Sequence, residues 1–303
     1  MSSRHILLAT LVAALWGFNF VVIEVGLGEL PPLAFAALRF TAAAVPAVFL
    51  VRRPAVAWRW IISVGALIGV GQFGLLFVGM HQGMPAGLSS VVLQTQAVFT
   101  VLFAGVLLRE RPRVVQITGM AIALAGVAII GFNFGQASPI MAFLLCVGGA
   151  AMWGLGNVAM RKARPDDAFG FMVWMSLVPP LPLLLLSAIF EGPTAVVDGL
   201  ATMTVAGFAA LAYIAYVSTL VGFGAWGWLM RRYDAGLVAM YSLLVPPFGL
   251  ASAAIALGES ITAVNLLAAV LIVGGVALGS IRLRVPRMAR VGRPLVRPLP
   301  DPE

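Results

Sequence analysis

Charge is the scarcest property of this chain. Only 10% of its 303 residues are Asp, Glu, Lys or Arg, while 61% are hydrophobic; a soluble domain carries about 25% charged residues. A water-facing surface cannot be built from so few charges, and a large buried α/β core would still need polar outer faces that these segments lack. Histidine is almost missing: His5 and His81 are the only two. No His/Cys/Asp/Glu cluster has the spacing of a metal site, and no apolar run holds paired carboxylates or a nucleophile beside a base. These absences argue against an enzyme, a metal centre and a bound cofactor. Cys146 is the only cysteine, which excludes an intramolecular disulfide. No loop is long enough to fold into a soluble domain.

What the chain has instead is long apolar runs. A helix needs about 20 apolar residues to cross a bilayer. Ten stretches qualify, at roughly 6–28, 33–51, 60–79, 86–108, 114–131, 138–159, 169–190, 203–230, 236–257 and 262–281. Hydrocarbon offers backbone groups no hydrogen-bond partners, so runs of this kind are helices. The first is too long for a signal-peptide core, contains Asn19 and Glu24, and lacks a small-residue cleavage site, so it reads as a retained span. The expected fold is an all-α membrane protein with ten transmembrane helices.

The formal charge of +8 would suggest a nucleic-acid partner in a soluble chain, but its distribution points to a membrane. Arg4, Arg52, Arg53, Arg59, Arg109, Arg111, Arg113, Arg161, Lys162, Arg164, Arg231 and Arg232 flank alternate spans on one side, and six more arginines follow in the tail. That is 18 of the 19 basic residues. The opposite loops hold Glu29, Glu191, Asp198 and Glu259 without a Lys or Arg. The positive-inside rule then puts both termini in the cytoplasm. The tail 282–303, "RLRVPRMARVGRPLVRPLP" and beyond, is too rich in proline for a continuous helix and reads as a disordered anchor attracted to anionic lipid.

The sequence also repeats itself. Residues 77–99 align with 226–248, which puts Ala86-Gly87-Leu88 on Ala235-Gly236-Leu237 and Phe99 on Phe248. The same offset carries Glu110 onto Glu259 and Gly126 onto Gly275, and "AALWG" at 13–17 matches "AAMWG" at 150–154. Each half has five spans, an odd number, so the second runs through the membrane in the opposite sense. This explains why "LLRERPR" (107–113) keeps arginines while "ALGESIT" (256–262) has none: the two related junctions face opposite sides. The expected units are 1–133 and 138–281. Inverted repeats of this kind are typical of secondary transporters, with the substrate site near the midplane between the halves.

"ALWGFNFVVIEVGL", "PPLAFAALRF", "GMPAGLSSVVLQTQAVFTVL" and "RERP", with "AAMWGLGNV" and "LLVPPFGLASAAIALGE" in the second half, resemble the EamA family of the drug/metabolite transporter superfamily over residues 5–281. The resemblance is strongest to the branch that exports O-acetylserine and cysteine. It implies a central cavity lined mainly by spans 1, 3, 4, 6, 8 and 9, an inner-membrane location, and export of small amino acids.

A zwitterion crossing lipid is better held by fixed dipoles than by full charges, which cost about 2.5–3.5 kcal/mol each at a helix centre. The midplane offers Trp16, Asn19, Gln72, Gln94, Trp153, Asn157, Tyr213, Tyr216 and Tyr241 as substrate-binding candidates. Trp16–Asn19 and Trp153–Asn157 form matching pairs on helix faces; the alternative is that each Asn bonds a neighbouring backbone and each Trp packs. Gln94 and Gln96 lie about 160° apart on an α-helix, so one faces the cavity and the other a neighbour, and Gln94 is preferred for the cavity.

Gate or coupling candidates are Arg39, Glu24, Pro246 and Pro247. Arg39 is either a carboxylate anchor or gate, or a snorkelling or carbonyl-bonded structural residue. Glu24 is either interfacial or a proton carrier. Pro246-Pro247 would kink span 9, a feature without a counterpart at Ala97-Val98. Gly126 and Gly275 are expected to permit close helix packing. The expected partners are a small-molecule substrate and membrane lipid, and no motif specifies an oligomer. The alternatives are export of threonine, aromatic amino acids or a lipophilic metabolite or drug, and more remotely an intramembrane enzyme.

Overall fold

The protein is described here by a computed structural model covering residues 1–137, 140–233 and 235–280. The basic tail, 282–303, lies outside the described residues. Within them there is helix and no strand. In chain order the long elements are α1 (Ser3–Leu27), α2 (Pro32–Val48), α3 (Trp58–His81), α4 (Ala86–Leu107), α5 (Val114–Ala137), α6 (Ile140–Ala163), α7 (Ala168–Phe190), α8 (Val205–Arg232), α9 (Leu237–Leu257) and α10 (Ala263–Ser280). A short helix, Ala195–Thr202, lies between α7 and α8.

Among the described residues, nine of these are long and apolar enough to cross a membrane. The other, α2, has 17 residues, about 25 Å at 1.5 Å per residue. Its start is set by Pro32, whose missing N–H costs nothing in a first turn, and Pro46 sits in its last turn shortly before the helix ends at Val48. Large apolar side chains such as Phe132, Val205 and Ile255 face outward, as expected of surfaces solvated by lipid chains.

The halves interlock rather than sitting side by side. α1 packs on α9 and α6 on α4; α3 runs along α6 and α8 along α1; α5 pairs with α10, and α2 with α7. Exchanging the two five-helix halves turns each of these contacts into another of the set or into itself, which is pseudo-two-fold packing. Two glycines make the approach close. A Cβ on Gly17 would lie 2.6 Å from Phe248 Cβ, and one on Gly154 would lie 2.7 Å from Phe99 Cβ. Gly17 and Gly154 are repeat partners, and so are Phe248 and Phe99. In the α5–α10 pair, a Cβ on Gly275 would meet Gly119 O at 2.5 Å and one on Gly126 would meet Ala268 O at 2.8 Å, so these glycines serve backbone approach as expected.

Irregular winding is duplicated too. α3 is π-wound over Gly65–Gln72 and α8 over Tyr213–Val221; α4 tightens to a 3-10 turn at Leu93–Thr95 and α9 at Met240–Leu244. The break in α9 therefore has a counterpart in α4, which has no proline there. Pro246 and Pro247 occupy the first turn where α9 resumes its α-helical course, a position that tolerates proline. They accommodate the break and do not cause it.

Contacts at the helix ends sort the loops into two sets. At one end Glu259 accepts from Ala86 N and Gly87 N, Glu191 from Leu33 N and Ala34 N, and Glu29 from Thr204 N and its hydroxyl. Each bond joins one half of the chain to the other, and each anion sits at a helix N-terminus, where the dipole favours it. The far ends of these helices meet Glu110–Arg161 at 2.6 Å, Asp167–Arg231 at 3.6 Å, and Trp174 Nε1 donating to Val51 O at 3.1 Å. Since α4 separates position 86 from position 110, Glu259 and Glu110 stand at opposite ends of the bundle.

Candidate functional site: a cavity on the seam

The close approaches at Gly17 and Gly154 set the preceding residues, Trp16 and Trp153, into the space between the halves. That space is a cavity of about 120 Å3. Its wall takes Trp16, Asn19, Phe20 and Ile23 from α1, Arg39 from α2, and Phe73 and Leu76 from α3. It takes Ser90, Leu93, Gln94 and Gln96 from α4, Trp153 from α6, Ser218 and Phe223 from α8, and Ser242 and Val245 from α9. The helices anticipated from the sequence all contribute, and α2 adds its arginine. The wall has aromatic faces, neutral amides and hydroxyls, and one cation.

The π-winding of α8 supplies part of this chemistry. Thr219 donates back to Ile214 O, five residues earlier. The carbonyl of Ser218 accepts from Trp16 Nε1 at 3.0 Å, which fixes the indole against Phe223 and Trp226. Trp153 lies across the cavity wall with its ring 6.3 Å from Phe73. On α4, Gln94 Nε2 donates to Ser242 O at 2.9 Å, joining the two 3-10 turns across the seam.

Arg39 is buried, at 2% exposure. Its Nη2 donates to Thr219 Oγ1 at 3.1 Å, and its guanidinium carbon lies 3.9 Å from the Phe73 ring centroid, with Phe40 at 5.0 Å. Its Nε and Nη1 are buried without a partner, as is Asn19 Oδ1. This arginine neither snorkels to an interface nor bonds a backbone carbonyl.

Of the expected binding residues, Trp16, Asn19, Gln94 and Trp153 come together in the cavity wall and the rest do not. Asn157 turns away, donating to Gln96 Oε1 at 3.0 Å and Thr100 Oγ1 at 3.1 Å. The spacing explains why the Trp–Asn pairs are not equivalent. Three residues advance by about −60° around the helix and four by about +40°, so the two asparagines flank their tryptophans on opposite sides. Gln72 is fully buried with both amide atoms unpartnered, but it is not part of the cavity wall. Tyr213 is spent on Leu15 O at 2.9 Å. Tyr216 is 43% exposed and faces outward, and Tyr241 packs with Ala9, Leu229 and Val238.

Gln96 reaches the wall as well as Gln94, against the either-or expectation. The 3-10 turn, at three residues per turn, narrows their separation to about 120°. Of the gate candidates only Arg39 touches the cavity; Glu24, Pro246 and Pro247 do not. Glu24 is half-buried near Glu259, with Oε2 unpartnered. Outside the spans, the Thr204 hydroxyl, and then its backbone N–H, hold the Glu29 carboxyl below its usual range.

Ser90, Ser218, Phe73 and Phe223 were not anticipated. Ser90 could have been found, since it lies one helical turn before Gln94. Ser218 could not, because it acts through its backbone carbonyl, which residue type does not reveal.

A cavity walled by both halves of an interlocked, lipid-facing helical bundle is the arrangement of a multi-pass membrane transporter. The chain belongs to the EamA-like transporter family, whose model matches twice, at residues 3–132 and 140–281. It is 42% identical to a protein of Salmonella typhimurium named "Probable amino-acid metabolite efflux pump", over 96% of this chain and 99% of that protein. An Escherichia coli protein of the same name is 40% identical over 96% of this chain and all of its own length. A solved crystal structure shares the fold, with a TM-score of 0.61 at 23% identity over 92% of this chain and 96% of its own. The protein is a multi-pass protein of the bacterial inner membrane.

Proposed function

We propose that the protein exports small amino acids or their metabolites, of the cysteine and O-acetylserine type, by alternating access through the seam cavity. α2 is the tenth span, the units are 1–133 and 138–281, and both termini are cytoplasmic, so the Glu29/Glu191/Glu259 end faces outward. The names carried by the Salmonella and Escherichia relatives support the substrate class. The observation that carries the reading is the position of the cavity: its wall is drawn from both halves at the pseudo-two-fold seam. Rocking the halves about that seam would exchange access between the two ends without dismantling the wall.

Amides, hydroxyls and ring faces bind a small polar solute weakly enough to release it. No carboxylate lines the cavity, so the expected coupling is facilitated or weakly proton-linked export, with Glu24 as a peripheral candidate. The test is counterflow in proteoliposomes with cysteine, O-acetylserine, threonine and an aromatic amino acid, comparing wild type with Asn19→Ala. Preferential exchange of the small substrates, weakened in the variant, is expected. Equal uptake of all four by both proteins would remove the site. A second reading, export of a flat aromatic or lipophilic compound, is favoured by the Trp16, Trp153, Phe73 and Phe223 faces and would appear as preference for the aromatic probe.

A further inference from the structure

We propose that Arg39 is the carboxylate anchor of the cavity and that Asn19 receives the substrate's ammonium group, so that the transported class is defined by a free α-carboxylate. This rests on the export reading above and adds the recognition chemistry.

The argument begins with unmet donors. A guanidinium has five N–H groups. At Arg39, Nη2 is bonded to Thr219 Oγ1, while Nε, with one hydrogen, and Nη1, with two, are buried without a partner. Arg39 forms no ion pair among the described residues. The rings of Phe73, Phe40 and Phe77, at 3.9, 5.0 and 5.8 Å, stabilise the cation through its faces. They leave its in-plane donors unmet, and an unpaired buried charge is costly. A purely structural arginine would spend those donors on carbonyls or send its head to the interface, and Arg39 does neither.

What satisfies a guanidinium in a cavity wall is a carboxylate, which can accept in parallel from the second Nη2 hydrogen and from either Nη1 or Nε. The complementary group is in the same wall: Asn19 Oδ1 is a buried acceptor with no donor, suited to an ammonium. Trp16 and Trp153 line the same cavity. Cation, acceptor and ring faces together are the negative image of a small zwitterion. The hydroxyl of Thr219, held by Ile214 O within the π-wound turn, fixes the guanidinium, so the duplicated π segment has a function in this half.

The test measures binding to the purified full chain in detergent, by thermal shift and by competition. The probes are O-acetylserine, cysteine, cysteamine (cysteine without its carboxylate) and cysteine methyl ester. Wild type should prefer each amino acid over the compounds lacking the carboxylate by at least about tenfold, the worth of a charge-assisted bidentate contact. Arg39→Gln should abolish that preference, and Arg39→Lys, which keeps the charge without the fork, should restore it in part.

If wild type binds cysteamine and the ester as well as cysteine, the anchor is wrong while export through the cavity stands. The same holds if folded Arg39→Gln keeps full discrimination. If wild type binds none of the four, the export reading fails with the anchor. The comparison of ligands on wild type needs no variant, so a poorly folding Arg39→Gln does not prevent the test.

Discussion

Glu259→Gln perturbs the bundle at one defined bond pair. The carboxylate accepts from Ala86 N at 2.7 Å and Gly87 N at 3.0 Å, so it caps the start of α4 while belonging to the loop after α9. Glutamine keeps one acceptor oxygen, loses the charge that favours the helix N-terminus, and turns an NH2 toward the other N–H. Hydrogen bonds to charged groups contribute about 1.5–3 kcal/mol each, and a partly exposed site reduces that. Lost helix caps cost about 0.5–2 kcal/mol. A net loss of about 1.5 kcal/mol is expected, close to tenfold in an equilibrium constant.

Under alternating access that tenfold goes to the state opened at this end. It can be read by labelling Ser90→Cys with a membrane-impermeant maleimide added outside. Ser90 lines the cavity, is 1% exposed, and donates to the carbonyl of Gly87, the residue that Glu259 caps. Cys146, the one native cysteine, is fully buried and should stay silent in the control. Labelling of Ser90→Cys should rise about tenfold in the Glu259→Gln background. A change below about twofold, or a rise only for reagent added inside, would refute the link between this cap and opening of the outer end.

Gly17→Ala and Gly154→Ala should each destabilise by about 1–3 kcal/mol, because the new methyl meets Phe248 or Phe99 Cβ below 3 Å; melting in detergent would show it, and unchanged melting would deny the close seam. Arg109 has φ of 55°, so Arg109→Gly should raise stability by up to about 1 kcal/mol in the same assay. Tyr216→Phe and Tyr241→Phe should leave counterflow unchanged, since neither residue lines the cavity. Glu29 has its folded pKa below the ordinary 4.5, so the tie it makes to Thr204 contributes fully above pH 4.5 and is lost as pH falls through the depressed value. The acid limb of a melting profile should therefore flatten in Thr204→Ala, which cannot donate its hydroxyl.

Helix positions and the duplication were legible because lipid demands long apolar runs and the two halves still share residues at a fixed offset. That Trp16, Asn19, Gln94 and Trp153 would meet in one wall was legible because polar or aromatic residues at mid-span have few uses. The misassignments have two causes, local helix winding and a one-residue difference in spacing. A 3-10 turn brought Gln96 round to the wall, and the one-residue difference between i+3 and i+4 took Asn157 away. The π segment of α8 presents the Ser218 carbonyl and the Thr219 hydroxyl to the seam while Tyr213 and Tyr216 point elsewhere. Such winding depends on i→i+5 or i→i+3 bonds that leave little trace in residue type.

The junction after α4 and its copy after α9 show what duplication preserved and what the membrane changed. Ala104 O accepts from Leu108 N at 2.9 Å and Glu110 N at 3.3 Å; in the copy, Ala253 O accepts from Gly258 N and, at 3.3 Å, from Glu259 N. Both turns close through a left-handed residue, Arg109 at φ of 55° and Gly258 at 68°. Glycine takes that conformation freely, whereas arginine does so against its Cβ. The backbone was thus inherited, and the residue was chosen by side. In the proposed orientation the arginine end faces the cytoplasm, where a positive charge fixes topology, and that outweighs about 1 kcal/mol of local strain. At the opposite end nothing opposes the glycine that the turn prefers. The same division applies to the glutamates that follow: Glu110, among arginines, pairs with Arg161, while Glu259, with no ion pair among the described residues, turns to the helix start of α4. Charge bias across the membrane, acting on one duplicated turn, is enough to give the two ends different chemistry.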